Sequence, residues 1–298
     1  MAHSGSRRRT GAHTALAVAV GALLGAPGTA RAVPEGHAEV RLGLQRFDYA
    51  EYDRGGVFLD GEKGFVPALS GALEVRFDRA FAGAAVRLAH GSVDYDGHTQ
   101  GSGDPNVDGL PLRTTTDATF VSGALEGGLL VGPRRTVALL VAAGARRWSR
   151  DIQATTVSSR AGQPTEVVGL SEIYAWYELA AGVRWTFLER PGTSWDVEAR
   201  VTRTVSAEIS VDLAGPFGVD QTARMGLGAR IGGRVGSSFR QDLQPGTFLV
   251  VGLWAEEYAF GASEPFVLVD AGGITRAISE PRSRTYDLGL DLGIGGRF

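Results

Sequence analysis

Residues 171–187 read Ser-Glu-Ile-Tyr-Ala-Trp-Tyr-Glu-Leu-Ala-Ala-Gly-Val-Arg-Trp-Thr-Phe. In an extended chain successive side chains point to opposite faces. Ile173, Ala175, Tyr177, Leu179, Ala181, Val183, Trp185 and Phe187 therefore share one face, and Glu172, Tyr174, Trp176, Glu178, Gly182, Arg184 and Thr186 the other. The same period recurs where Leu69, Gly71, Leu73, Val75 and Phe77 alternate with Ser70, Ala72, Glu74, Arg76 and Asp78. Further copies place Val121, Leu125, Leu129 and Val131 on one face, then Val137, Leu139 and Val141, then Trp195, Val197, Val201, Val205 and Ile209, then Met225, Leu227, Ile231 and Val235.

Alternation by itself also suits a soluble sandwich, so strand and connection lengths have to discriminate. Strands marked near 38–49, 67–78, 80–93, 117–131, 136–149, 171–187, 194–209, 219–235, 247–258 and 283–298 make ten segments. Most reach the ~9–11 residues that cross a bilayer at a tilt. Connections alternate short (Asp78-Arg79, Gly132 to Arg135, Leu188 to Thr193, Gly236 to Gly246) and long (50–66, 94–116, 150–170, 210–218, 259–282). The expected fold is all-β: a transmembrane up-and-down antiparallel β-barrel of about ten strands with long external loops. Strands 38–49, 80–93 and 247–258 are poorly phased and leave their register open. No repeat of fixed period and no second domain is visible.

Residues 1–32 read as an export signal. Arg7, Arg8 and Arg9 precede the apolar run Thr14 to Ala26, and Ala30-Arg31-Ala32 supplies a small-x-small cleavage site. The run is shorter than the ~20 residues a spanning helix needs. Cleavage after Ala32 leaves 33–298 as the barrel and implies passage through the inner membrane to the outer membrane of a Gram-negative cell. Losing four arginines and no acids takes the formal charge from −3 to −7, which argues against nucleic acid as a partner. The chain has no cysteine, which excludes disulfides and thiolate metal sites. Trp148, Trp176, Trp185 and Trp195 fit interior packing or an interfacial girdle.

The last strand alternates Tyr286, Leu288, Leu290, Leu292 and Ile294 with Asp287, Gly289, Asp291, Gly293 and Gly295, and ends on Phe298. It resembles the C-terminal signal recognised by the outer-membrane barrel-assembly machinery, and the resemblance makes Phe298 the assembly signal. The segment Gly91-Ser92-Val93-Asp94-Tyr95-Asp96-Gly97-His98 resembles the first catalytic element of the omptin proteases, which are ten-stranded barrels. That likeness implies an Asp94–Asp96 pair activating water for peptide hydrolysis. Omptins carry an Asp-x-His pair in the fourth external loop. Here that loop, 210–218, holds Asp212 but no histidine, and none occurs after His98. The lipid-modifying barrels are weakened in the same way, because their acid-base histidines lie on strands that have none here. The stretches Phe47-Asp48-Tyr49-Ala50-Glu51-Tyr52-Asp53 and Tyr95-Asp96-Gly97-His98-Thr99-Gln100 resemble a group of uncharacterised outer-membrane barrels with no assigned activity.

In the second long loop, Asp104, Asn106 and Asp108 with Gly109 match the first half of a calcium loop. The twelfth position is Thr115 where glutamate is needed, so an EF-hand is excluded. A looser Ca2+ site competes with ordinary Asx turns. No other cofactor is expected.

The face opposite the apolar one carries both charge signs, and a ten-stranded barrel is narrow, so these charges are expected to pair across adjacent strands. A hairpin symmetric about Pro216 would set Glu208 opposite Arg224 and Glu198 opposite Arg234. Two function classes stay open: a non-enzymatic barrel (narrow or plugged pore, structural or surface-interaction role) and a surface hydrolase of omptin type using Asp94 and Asp96. Outer-membrane lipid, lipopolysaccharide and the assembly machinery are the expected partners. N-terminal sequencing of the protein from membranes is expected to begin at Val33; a sequence starting at Met1 would remove the signal-peptide reading.

Overall fold

The computed structural model describes residues 35–99 and 105–298; the segment read as a signal peptide, 1–32, lies outside them, as does Asp104. In chain order the strands are β1 (Glu35–Tyr52), β2 (Phe58–Phe77), β3 (Ala80–His98), β4 (Pro111–Val131), β5 (Val137–Ile152), β6 (Thr155–Ser158) and β7 (Pro164–Val167). They continue with β8 (Leu170–Arg190), β9 (Thr193–Asp212), β10 (Thr222–Gly226), β11 (Ile231–Gln244), β12 (Thr247–Phe260), β13 (Phe266–Val269), β14 (Thr275–Ile278) and β15 (Arg282–Arg297). Antiparallel pairing follows chain order around the sheet, and β15 joins β1 to close it. β10 and β11 both pair with β9 and serve as one barrel strand, so the closed antiparallel barrel has ten. Pairs β6–β7 and β13–β14 are separate hairpins in two of the long loops.

Burial is inverted relative to a water-soluble sheet. Val40, Leu42 and Leu44 on β1, Leu139 and Val141 on β5, and Leu288, Leu290, Leu292 and Ile294 on β15 are all exposed on the outer wall. Glu39, Glu62, Glu74, Arg150, Glu256 and Asp291 are buried inside. An apolar exterior around a charged interior matches a lipid surround. Barrel strands run from 14 to 21 residues, beyond what a tilted crossing needs, so the wall continues past the apolar belt toward the loop end.

The segments without a clear phase acquire one here. β1 pairs Leu42 with Leu292 and with Leu69, β3 pairs Leu88 with Val121, and β12 pairs Leu253 with Leu290. The expected boundaries differ in two places. The first loop shrinks from 50–66 to residues 53–57, because β1 and β2 continue above the apolar belt. The stretch Gly236 to Gly246, read as a turn, is mostly strand: its glycines and serines carry no hydrophobic signal, yet β11 pairs through them with both β9 and β12.

The expected hairpin register is displaced by two residues. A short helical turn, Ala214–Phe217, closed by Gly218 at φ 63°, forms the tip, so Glu208 faces Gly226 and Glu198 faces Gly236. Beside Ser206 (φ 50°) the β8–β9 register also shifts. This reverses the side-chain phase of β9, and β10 follows, so Glu208 and Arg224 are both exposed on the outer wall. The predicted Glu208–Arg224 lumen pair is therefore corrected: a β-bulge turned both residues outward.

At the closing strand two glycines admit aromatic rings. The Phe298 ring lies over Gly36, whose backbone N–H and carbonyl bond those of Phe298 at 2.9 Å each. The Trp254 indole occupies the space a Cβ of Gly289 would need and donates from Nε1 to Asp291 Oδ2 at 3.0 Å. Replacing Gly289 by Val is expected to expel the indole and cost about 1–3 kcal/mol in detergent-refolded protein measured by urea unfolding. An unchanged midpoint would show that the wall yields there.

Candidate functional site

The inward faces of the strands bring together a dense set of titratable groups. Toward the turn end, Arg184 on β8 contacts Glu74 on β2 (Nη1, 2.5 Å), Glu126 on β4 (Nη2, 2.7 Å) and Glu198 on β9 (Nε, 3.1 Å). Two of these carboxylates come from strands that do not neighbour β8, so the guanidinium bridges the lumen. Arg200 binds Glu126 at 2.7 Å and also Glu198, and Arg240 binds Asp196 at 2.8 Å and Glu39 at 3.4 Å. Arg41 adds a further bond to Glu39. A second tier joins Arg146 to Glu178 at 3.1 Å and to Glu256, with Arg87 on Asp291 at 3.0 Å. Trp254 lies between Arg87 and Arg234, each guanidinium 4.8 Å from its ring. Planar guanidinium forks suit this because one group satisfies several carboxylates at once. A void of about 290 Å3 remains among these side chains.

The loop-end tier is different in kind. Trp148 stacks on Tyr174 at 4.8 Å and meets Tyr49 edge-on at 4.9 Å, with Phe47, Phe120, Trp176, Tyr258 and Phe260 continuing the layer. Embedded beside it, Arg150 contacts Glu62 at 2.9 Å and Glu51 and Glu172 at 3.1 Å each. Its side chain is 2 % exposed, buried among the carboxylates and the aromatic layer.

The residues singled out from the sequence are placed as follows. Asp94 and Asp96 are exposed on the outer wall of β3, while Val93 and Tyr95 between and beside them point inward. Asp96 is 3.8 Å from Arg113, and Asp94 stands opposite Lys63 and Thr115. The histidines of the same strand are engaged locally, His90 with Thr119 Oγ1 at 2.9 Å and His98 with the Leu59 carbonyl at 3.2 Å. The carboxyl pair thus faces away from the lumen.

Of the calcium candidates, Asp104 lies outside the described residues. The backbone carbonyls of Pro105 and Asp108 accept from the Arg160 guanidinium, the second at 3.0 Å, and the Asn106 carbonyl accepts the Arg160 N–H at 3.0 Å. Positive charge at this loop is supplied by the chain itself. Among the described residues no group of three or more histidine or acidic side chains is arranged to hold a metal.

The second expected lumen pair is re-partnered. Glu198 bonds Arg184 and Arg200, and Arg234 lies 3.6 Å from Glu256, because the two-residue displacement sets Arg234 opposite Arg200. Glu39, Glu51, Glu62, Arg87, Arg150, Arg240, Glu256 and Glu280 were missed. Most lie on the unphased strands β1, β3 and β12 or on segments read as loop, and only the parity of each inward aromatic neighbour could have marked them.

Arg150 and Arg284 separate a buried pair from an exposed one. Arg150→Met is expected to destabilise by about 3–5 kcal/mol, since three carboxylates lose their shared partner. Arg284→Ala, which removes an exposed contact to Glu257, is expected to cost at most ~1 kcal/mol. Equal losses in urea titrations would contradict this division of the lumen from the rim.

No family model and no curated protein matches the chain. Among solved structures it is similar to the outer-membrane protease OmpT of Escherichia coli, at 12% identity and TM-score 0.57 over 91% of this chain and 99% of that one. It also matches the translocator domain of the autotransporter NalP of Neisseria meningitidis (13% identity, TM-score 0.45, 94% and 93% covered). A third match is the toluene transporter TbuX of Ralstonia pickettii (12% identity, TM-score 0.39, 88% and 89% covered). The first likeness shows a shared fold, and the fold is that of outer-membrane β-barrels.

Proposed function

We propose that the chain is an integral outer-membrane protein without catalytic activity, a barrel with a plugged lumen that serves a structural or surface-interaction role. The observation that carries this reading is the Arg184 bridge to carboxylates on β2, β4 and β9, with the Arg150 cluster and its aromatic layer above it. Ions crossing this interior would have to break several charge-assisted bonds in succession. In the same reading residues 1–32 direct export and are removed after Ala32, and Phe298, docked on Gly36, is the end read by the assembly machinery. Outward-facing Arg46, Lys63, Arg147, Arg203 and Arg284 lie where the apolar belt gives way to polar wall, a position suited to lipopolysaccharide phosphates. The omptin-type alternative would need Asp94 and Asp96 in a cleft facing a histidine, and both stand on the outer wall.

Planar-bilayer recording tests the plug. The wild type is expected to show no steady porin-sized conductance, and the double variant Arg150→Ala, Arg184→Ala, which releases both tiers, is expected to produce openings. Steady conductance in the wild type would refute the reading.

A further inference from the structure

Five carboxyl groups gather around one guanidinium at the loop end of the lumen, and three of them, Glu51, Glu62 and Glu172, touch it. Glu51, Asp60, Glu62, Glu172 and Glu280 are between 1 % and 7 % exposed, and among the described residues Arg150 is the only basic side chain bonded to any of them. They come from β1, β2, β8 and the segment before β15, so the excess negative charge is gathered by closure of the barrel. In the tiers below, several arginines share the inward carboxylates, Arg184, Arg200, Arg240 and Arg146 among them, and Asp287 is a single buried carboxyl with no arginine bonded to it among the described residues. If all five were ionised, the site would hold four uncompensated charges away from water, which a folded protein does not sustain.

Something must therefore compensate them, and the geometry limits the choice. The void in the lumen is lined by other side chains, His37, Arg87 and Trp254 among them, and none of the five carboxyls borders it. An organic cation has no room in that void beside them. No metal-holding arrangement exists among the described residues. What fits is the proton.

Two orphaned oxygens point the same way, whereas the hydroxyl bonds around them favour the ionised form and are outweighed by burial. Asp60 Oδ1 and Glu62 Oε2 are buried without any partner. The Tyr174 hydroxyl, itself 3.1 Å from that of Tyr49, donates to Glu280, and Tyr49 donates to Glu51 Oε1 at 2.6 Å. The Glu62 Oε1 atom accepts from Thr116 at 2.8 Å and from Arg150. Across Gly97, Tyr95 of β3 stands beside Asp60. Phe260 of β12 and Ile209 of β9 add only apolar surface. Burial, followed by the charges of Glu51 and Glu172, pushes the Glu280 carboxyl well above the usual range, against the hydrogen bond from Tyr174.

We propose that this cage is a proton-binding site: protons held by Asp60, Glu280 and their neighbours keep the loop end of the barrel closed, and losing them loosens it. The folded protein then binds more protons than the unfolded chain over the range where ordinary carboxyls are ionised. Its stability falls as pH rises. The lower tiers, where arginines bond most of the inward carboxylates, contribute less to that slope.

The inference rests on the plugged-lumen reading, and the readouts keep the two apart: conductance tests the plug, whereas infrared spectra and melting test the proton. Refolded wild type is expected to show a protonated-carboxyl C=O band at neutral pH, weakened in both Asp60→Asn and Glu280→Gln. Its melting temperature is expected to fall from about pH 5 to about pH 9, and Glu280→Gln to flatten that slope. If Asp60→Asn does not fold, the Glu280→Gln spectra and the wild-type band carry the test alone. Absence of the band in the wild type, or a melting temperature independent of pH, would overturn the proposal. So would millimolar calcium that restores the alkaline melting temperature, because a metal would then be the compensating species.

Discussion

Charge compensation by arginine inside a closed sheet is the constraint on which the rest of the structure depends. Closing ten strands makes an interior only a little wider than one filled by side chains, and the sequence sends acidic residues into it from nearly every strand. Each such carboxylate needs a partner that reaches across the lumen and bonds in more than one direction. Arg184 does this for Glu74, Glu126 and Glu198, and Arg150 for Glu51, Glu62 and Glu172. Lysine, a point charge on a flexible stem, would bridge less well. The single lysine, Lys63, is exposed on the outer wall.

The cross-lumen bonds also depend on a glycine at one inner position. Where Trp254 passes over Gly289, the indole gains a place to bond Asp291 and to lie between Arg87 and Arg234. A side chain at Gly289 would separate that tryptophan from both guanidinium groups. The β12–β15 pairing and the second tier of ion pairs are therefore linked through a single missing Cβ.

Membrane barrels of this length have two solvents along each strand, and that governs what the sequence discloses. On β1 the outward residues change from Val40, Leu42 and Leu44 to Arg46 and Asp48, while the inward ones change from Glu39 and Arg41 to Phe47 and Tyr49. β3 does the same between Leu88 and Asp94, and β12 between Leu253 and Glu257. The apolar face swaps sides as the wall leaves the lipid and the lumen fills with aromatic rings. A single period-two phase cannot describe such strands, which is why 38–49, 80–93 and 247–258 resisted phasing and why Asp94 and Asp96, read as the start of a long loop, stand on the outward face of β3. β8 gave the cleanest reading because its outward side stays apolar from Tyr177 to Phe187.

The sequence by itself determined the class of fold, the strand count and the presence of both charge signs on the inner face. These follow from local alternation and turn chemistry, which each segment carries alone. Only the tertiary structure decided who pairs with whom. The bulge at Ser206 and the helical tip at 214–217 moved the β9–β10–β11 register by two residues and turned Glu208 and Arg224 outward. Contacts such as Arg184 with Glu74, or Arg150 with Glu51, join strands that are not neighbours in the sheet, so they exist only once the barrel has closed. Sheet closure is a property of all ten strands together, and no stretch of sequence short enough to be read by its periodicity contains it.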